Sequence, residues 1–183
     1  TQNHIYHSDL YEISTAYNEK ISTTCLRALQ ETVCIPIKKV LCGRDVYFIE
    51  DEITLIDYEH KKVVFKKAPE LNFEYLVVAL GSVTNYYNIP GLEEHGLPLK
   101  TLEDALTINC HVDQFFRERY EKKSHGKVNI VVGGGGFTGV EYACELIGFL
   151  KKLSRKYSFD PKEVNVSVIQ GGNELVGLGT KVS

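Results

Sequence analysis

The run Gly133-Gly134-Gly135-Gly136-Phe137-Thr138-Gly139 constrains this chain more than any other segment, because few backbones need four glycines in a row. Directly before it stands the apolar run Val128 to Val132, and after it Val140, Ala143, Leu146 and Ile147 recur at helical spacing. Strand, glycine turn and helix in that order are the flanks that a dinucleotide-binding GxGxxG turn requires. In such a turn Gly134 lets the chain leave the strand tightly, Gly136 keeps side-chain atoms away from a pyrophosphate, and Gly139 lets helix and strand pack closely. The amides of the turn and the positive end of the helix dipole then face the phosphates. A glycine turn can also be a mere connector, but four consecutive glycines cost backbone entropy that a connector does not require. Gly134, Gly135, Gly136, Phe137, Thr138 and Gly139 are therefore the candidate residues for holding NADH or NADPH.

The helix is expected from Thr138 to about Lys152 and a second strand from Val164 to Ile169. Such βαβ units are almost always right-handed with parallel strands. At the end of the second strand an Asp or Glu normally accepts hydrogen bonds from the ribose 2′-hydroxyl of NAD, whereas this chain offers Gln170-Gly171-Gly172. Gln170 carries no charge to repel a 2′-phosphate, so the choice between NADH and NADPH stays open. It also lies farther from the glycines than the roughly 20 residues of the compact fingerprint; the excess falls in the polar stretch Ser154 to Glu163. Glu141 and Glu145 stand one helical turn apart. Glu145 reads as a solvated surface charge. Glu141, placed in the first turn, either gains from the helix dipole or lies near the nicotinamide.

The rest of the chain sets this unit in context. Tyr17 to Leu41 holds Ser22-Thr23-Thr24 ahead of Leu26, Leu29 and Val33, the pattern of a short amphipathic helix with hydroxyl caps. Val46 to Ile49, Ile53 to Tyr58, Lys62 to Lys67 and Tyr75 to Leu80 read as short strands, and Glu59-His60-Lys61 has hairpin length. The last run is continuously apolar, as expected of a strand covered on both faces of a parallel sheet. Ile89-Pro90-Gly91 and Gly96-Leu97-Pro98 punctuate a crossing loop. A helix follows, entered through a capping box of Thr101 and Asp104, with Leu102, Ala105, Leu106, Val112, Phe115 and Phe116 as its apolar side.

Composition excludes more than it assigns. With 43% hydrophobic and 25% charged residues the chain can bury a core, and a net charge of −3 gives no basic field for nucleic acid. No apolar run approaches the roughly 20 residues needed to span a bilayer. Cys25, Cys34, Cys42, Cys110 and Cys144 form no CxxC pair and no Cys/His spacing suited to zinc, so no metal is expected. Free thiols in a reducing cytoplasm are the plain reading, with Cys34 and Cys42 the candidates for a redox pair. The absence of any Met and the polar opening Thr1-Gln2-Asn3-His4 suggest a piece of a longer protein.

Three blocks resemble the type II NADH dehydrogenases, single-subunit flavoproteins that pass electrons from NADH through FAD to a quinone. They are Tyr75 to Ser82 followed by Asn88-Ile89-Pro90-Gly91-Leu92-Glu93, then Leu99 to Ala105, then Ile130 to Glu141. The opening His7-Ser8-Asp9-Leu10-Tyr11-Glu12 is also similar to a segment of that family's FAD domain. The resemblance implies an α/β fold: an incomplete two-dinucleotide-binding-domain flavoprotein, with a β-meander and a Rossmann-like βαβ unit. Residues 1–95 would be the later part of the FAD-binding domain and 96–183 the first part of the NAD(P)H-binding domain. Gly81 and Ser82 would lie close to FAD, and Glu141 near the interface of nicotinamide and flavin. The family's FAD glycine fingerprint is expected before Thr1 and its membrane-binding end after Ser183. The resemblance also implies NAD(P)H and quinone as partners, and a cytoplasmic enzyme peripheral to the inner face of the membrane. An incomplete sheet would leave an unpaired strand edge, a route to homo-oligomers. Two alternatives stay open: another two-dinucleotide flavoprotein, such as a sulfide:quinone or disulfide oxidoreductase, and a non-catalytic dinucleotide-binding module.

Overall fold

The computed structural model describes residues 3–5, 14–15, 34–172 and 175. These fall into two compact units, one built on residues 34–85 with Asn3 and His4, the other on residues 86–172 with Ile5, Ser14 and Thr15. The expected helix across Tyr17 to Leu41 lies outside the described residues up to Val33. Strand β1 (Asn3–Ile5) pairs with β2 (Cys34–Pro36), and a single helical turn, α1 (Ile37–Leu41), follows.

The meander of the first unit is β3 (Ile53–Asp57), β4 (Lys62–Phe65) and β5 (Leu71–Asn72), antiparallel in that order. Asp57 faces Lys62 as the last pair before the turn. The turn is tied by the Asp57 carboxylate, which accepts the His60 backbone N–H at 3.0 Å and lies 2.8 Å from His60 Nδ1. Lys61 closes it at φ +52°. At the open end of the hairpin the Asp51 carboxylate accepts the N–H groups of Ala68 (2.7 Å), Lys67 (2.8 Å) and Glu52 (2.8 Å). These donors, Ala68 foremost, hold Asp51 below its ordinary carboxyl value of 3.8 against the opposing effect of desolvation.

Two expected strands are absent. Val46 to Ile49 and Leu76 to Leu80 have no regular structure, and the second run is open to solvent, with Val77 86% exposed. A strand is stabilised by cross-strand pairs, and neither run has a partner among the described residues. β5 was not expected, being only two residues long.

In the second unit a short helix, α2 (Leu92–His95), sits between the two Gly-Pro punctuations and begins after Gly91 at φ +76°. The capping box forms as expected: Thr101 Oγ1 accepts the Asp104 N–H at 3.1 Å, and Asp104 Oδ2 accepts the Thr101 N–H at 2.8 Å. It opens α3 (Leu102–Glu121), whose buried residues are Ala105, Ile108, Asn109, Asp113 and Phe116. Phe115 is exposed rather than inward, because the inward stripe steps by three and four from Ala105 and passes beside it.

β6 (Val128–Gly133) and β7 (Val164–Ile169) pair in parallel, Val128 opposite Val164 through Gly133 opposite Ile169. Between them runs α4 (Phe137–Tyr157), followed by a 3-10 turn over Pro161–Glu163. The expected crossover is therefore present, and α4 continues past Lys152 into the start of the polar stretch, to Tyr157. It stops at Ser158, whose left-handed backbone (φ +52°) turns its N–H onto the Ser154 carbonyl. Leu146, Phe149, Leu150, Leu153 and Tyr157 of α4 pack with Phe116 of α3 and Val128 of β6 into one core cluster. Burying each of the large side chains contributes about 1.5–3 kcal/mol. Ile147, expected in this stripe, is 46% exposed.

Candidate dinucleotide site

The site begins where β6 ends. Gly134 has φ +115°, a conformation that L side chains rarely adopt, and its N–H donates to the Ile169 carbonyl at 2.8 Å. The turn therefore leaves the sheet while still tied to the end of β7. Gly135 is buried, and its N–H donates to Gln170 Oε1 at 3.0 Å. A Cβ on Gly135 would stand 2.7 Å from Leu175 Cδ2 and 2.9 Å from Gln170 Cβ. Gly135 thus frames the turn from within.

Gly136 is the opposite case. It is exposed, and a Cβ there would meet nothing within 4 Å. It is also the N-cap residue of α4, where no side chain caps the helix and no acidic residue occupies the first turn. A helix start leaves its first amides without intrahelical partners. Those of Phe137, Thr138 and Gly139 lie behind the open Gly136 position, with the positive end of a 21-residue helix behind them. At Gly139 an added Cβ would collide with the Gly134 carbonyl oxygen and stand 3.5 Å from Val132 Cγ1. The helix can begin this close to the turn only because Gly139 has no side chain.

A diphosphate fits this arrangement: open space at Gly136, amides beyond it that have no partner among the described residues, and no carboxylate in the first turn to repel it. Phe137 is 59% exposed beside that space, and Thr138 is half-buried. Glu141 is the fifth residue of α4, so it stands in the second turn and not the first; the helix starts at Phe137, one residue earlier than expected. Both Glu141 and Glu145 are exposed, and among the described residues nothing engages the Glu141 carboxylate.

Gly81 and Ser82 are not assembled into a comparable cradle. They lie in an exposed stretch without regular structure, and Gly81, at φ +78°, is surrounded by open space. Cys42, Cys110 and Cys144 are exposed free thiols. No group of His, Cys, Asp and Glu among the described residues could hold a metal ion. No helix among them is long and apolar enough to cross a membrane.

The contact between Gln170 and Gly135 was not legible in the sequence, nor was Leu175 lying over Gly135. Both join residues far apart along the chain, and neither has a short-range pattern to announce it.

Comparison with known proteins bears on the fold and the family. The type II NADH:quinone oxidoreductases of Staphylococcus aureus strains NCTC 8325 and COL are each 31% identical to this chain over 150 residues, 81% of its length and 37% of theirs. The chain therefore spans little more than a third of the curated relatives it matches. The solved structure of NDH2 from Plasmodium falciparum in complex with NADH superimposes with a TM-score of 0.74 at 24% identity, covering 96% of this chain and 36% of that one. The same protein in complex with RYL-552 gives 0.70. At that identity the likeness shows the fold, a part of the NDH2 dinucleotide-binding fold. Residues 15–183 match the family model described as pyridine nucleotide-disulphide oxidoreductase, and the chain belongs to that family.

Proposed function

We propose that this chain is a fragment of an FAD-dependent oxidoreductase that passes electrons from NAD(P)H to FAD and on to a quinone, and that its βαβ unit holds the NAD(P)H. One observation carries the reading: the uncapped start of α4 behind Gly136, open where a pyrophosphate would lie. The first-turn amides of Phe137, Thr138 and Gly139 would hold the phosphates, Gly134 aims the turn, and Gly135 keeps it in shape. When bound, NAD(P)H supplies the hydride, and the protein's part is alignment. Glu141, exposed one turn into the helix, is the side chain assigned to the nicotinamide end.

The flavin, the quinone and attachment to a membrane surface belong to the reading of the longer protein and rest on the similarity to type II NADH:quinone oxidoreductases. In it residues 1–95 would serve the FAD domain and 96–183 the NAD(P)H domain. The described residues do not by themselves form a flavin cradle, since Gly81 and Ser82 lack a supporting element. No step through FAD is assigned to them.

Titrating the chain with NADH tests the reading. Wild type is expected to bind, and Gly136→Val is expected to abolish binding while leaving the far-UV circular dichroism unchanged. Unchanged affinity in Gly136→Val would show that the phosphates lie elsewhere.

A further inference from the structure

We propose that Gln170 is a positioning residue for dinucleotide binding: its side-chain oxygen, together with the Leu175 side chain, holds the glycine turn in its binding shape before a ligand arrives. This rests on the dinucleotide reading above and deepens it.

Four glycines in a row have more backbone freedom than any other four residues, so the turn they form needs ties from outside itself. The sheet supplies the first of them. Gly133 pairs with Ile169, and the Gly134 N–H donates to the Ile169 carbonyl at 2.8 Å. There the backbone ladder stops, because β7 ends at Ile169. The next rung is made by a side chain: Gln170 Oε1 accepts the Gly135 N–H at 3.0 Å. Gly133, Gly134 and Gly136 are exposed, whereas Gly135 is buried. A buried N–H without a partner costs free energy comparable to a lost hydrogen bond, so this bond is what lets Gly135 stay inside.

Packing acts at the same point. The space that a Cβ on Gly135 would take is filled by Leu175 Cδ2 at 2.7 Å and by Gln170 Cβ and Cγ at 2.9 and 3.1 Å. Gly136, the next residue, opens α4 with nothing within 4 Å of a Cβ. The clamped position and the open one are therefore adjacent, and clamping Gly135 fixes where Gly136 and the first amides of α4 point. Without the clamp the phosphates of a ligand would have to order this backbone as they bind, and ordering one residue weakens binding by about five- to thirtyfold. The contact is made to the turn and not to a ligand. Its loss should fall equally on every ligand held through its phosphates.

The test uses the full chain, NMR hydrogen exchange at the Gly135 amide, and titration with NADH and with inorganic pyrophosphate as its competitor. In ligand-free wild type Gly135 should be protected. Gln170→Met, which keeps the length of the side chain but not the acceptor, should remove the protection and weaken NADH and pyrophosphate by the same factor, about five- to thirtyfold. Gln170→Glu keeps an acceptor and should keep the protection. Gly135→Ala opens the same clamp from the other side, so the double variant with Gln170→Met should bind NADH no more weakly than the weaker of the two single variants. The proposal is overturned if Gly135 exchanges freely in ligand-free wild type, if Gln170→Met weakens NADH but not pyrophosphate, or if the two losses add in the double variant. Folded wild type that binds neither NADH nor pyrophosphate would instead remove the underlying reading, and this proposal with it.

Discussion

Two glycines three positions apart in one turn are kept small for opposite reasons. At Gly139 the protein itself fills the space: a methyl group would collide with the Gly134 carbonyl. At Gly136 the space is empty to beyond 4 Å, and the backbone there, at φ −76°, suits any residue. Gly139→Ala should therefore lower stability by about 1–3 kcal/mol, the usual cost of overpacking, whereas Gly136→Ala should leave stability unchanged. Paired chemical denaturation of the two variants checks this. Equal stabilities would mean that α4 and the turn are not in the contact described. GxGxxG spacing alone made both glycines legible as parts of one turn. It could not reveal which was closed by the protein and which was open, because that depends on where α4 begins relative to the Gly134 carbonyl.

Helices α3 and α4 are joined by a buried polar contact as well as by their apolar stripes. Asp113 of α3 is buried, accepts Lys156 Nζ at 2.9 Å, and lies with both oxygens 3.0 Å from the Tyr157 hydroxyl. Burial pulls the Lys156 ammonium down, but its hydrogen bonds to Tyr157 and Asp113 and the Asp113 charge outweigh that, and its pKa rises above the ordinary 10.5. Burial, followed by Asp113, raises the Tyr157 hydroxyl as well. The sign for Lys156 follows: a cation stabilised by folding contributes fully below pH 10.5, and the contribution is lost as pH rises through the higher folded value. Asp113→Ala should lower stability near neutral pH by about 1–3 kcal/mol and flatten the decline above pH 10.5. Thermal melts of wild type and variant across that range decide it, and an unaltered alkaline slope would dissociate Lys156 from Asp113. The start of α3 was legible because a capping box is a local pattern of Thr101 and Asp104. The inward turn of Asp113 was not, since a charged residue on a helix ordinarily reads as solvated, and only the partner helix shows otherwise. The same distinction separates the hairpin at Asp57 to Lys62, set by neighbouring residues, from the expected strand at Leu76 to Leu80, which depends on a distant one.

At the scale of the whole chain, the segment from Tyr75 to Val83 sets behaviour in solution. It is apolar on alternate and adjacent positions alike, the composition of a strand covered on both faces, yet Tyr75 is 91% and Val83 89% exposed. Its backbone has no strand neighbour among the described residues, so unpaired N–H and carbonyl groups accompany the exposed side chains. Exposed apolar backbone with unpaired groups of this kind pairs readily with another copy of itself. The 183-residue chain should therefore associate as its concentration rises, and the double variant Val77→Lys with Val83→Lys should suppress this by placing like charges on the segment. The core cluster lies in α3, β6 and α4, away from these residues in sequence, so the melting temperature of the second unit should not move. Sedimentation velocity over a wide concentration range separates the possibilities. A wild type that stays monomeric throughout would mean that the segment is covered in solution. Association that persists in the double variant would locate the contact elsewhere, with the exposed face of β6 and β7, where Val131 and Ile169 stand open, the next surface to alter.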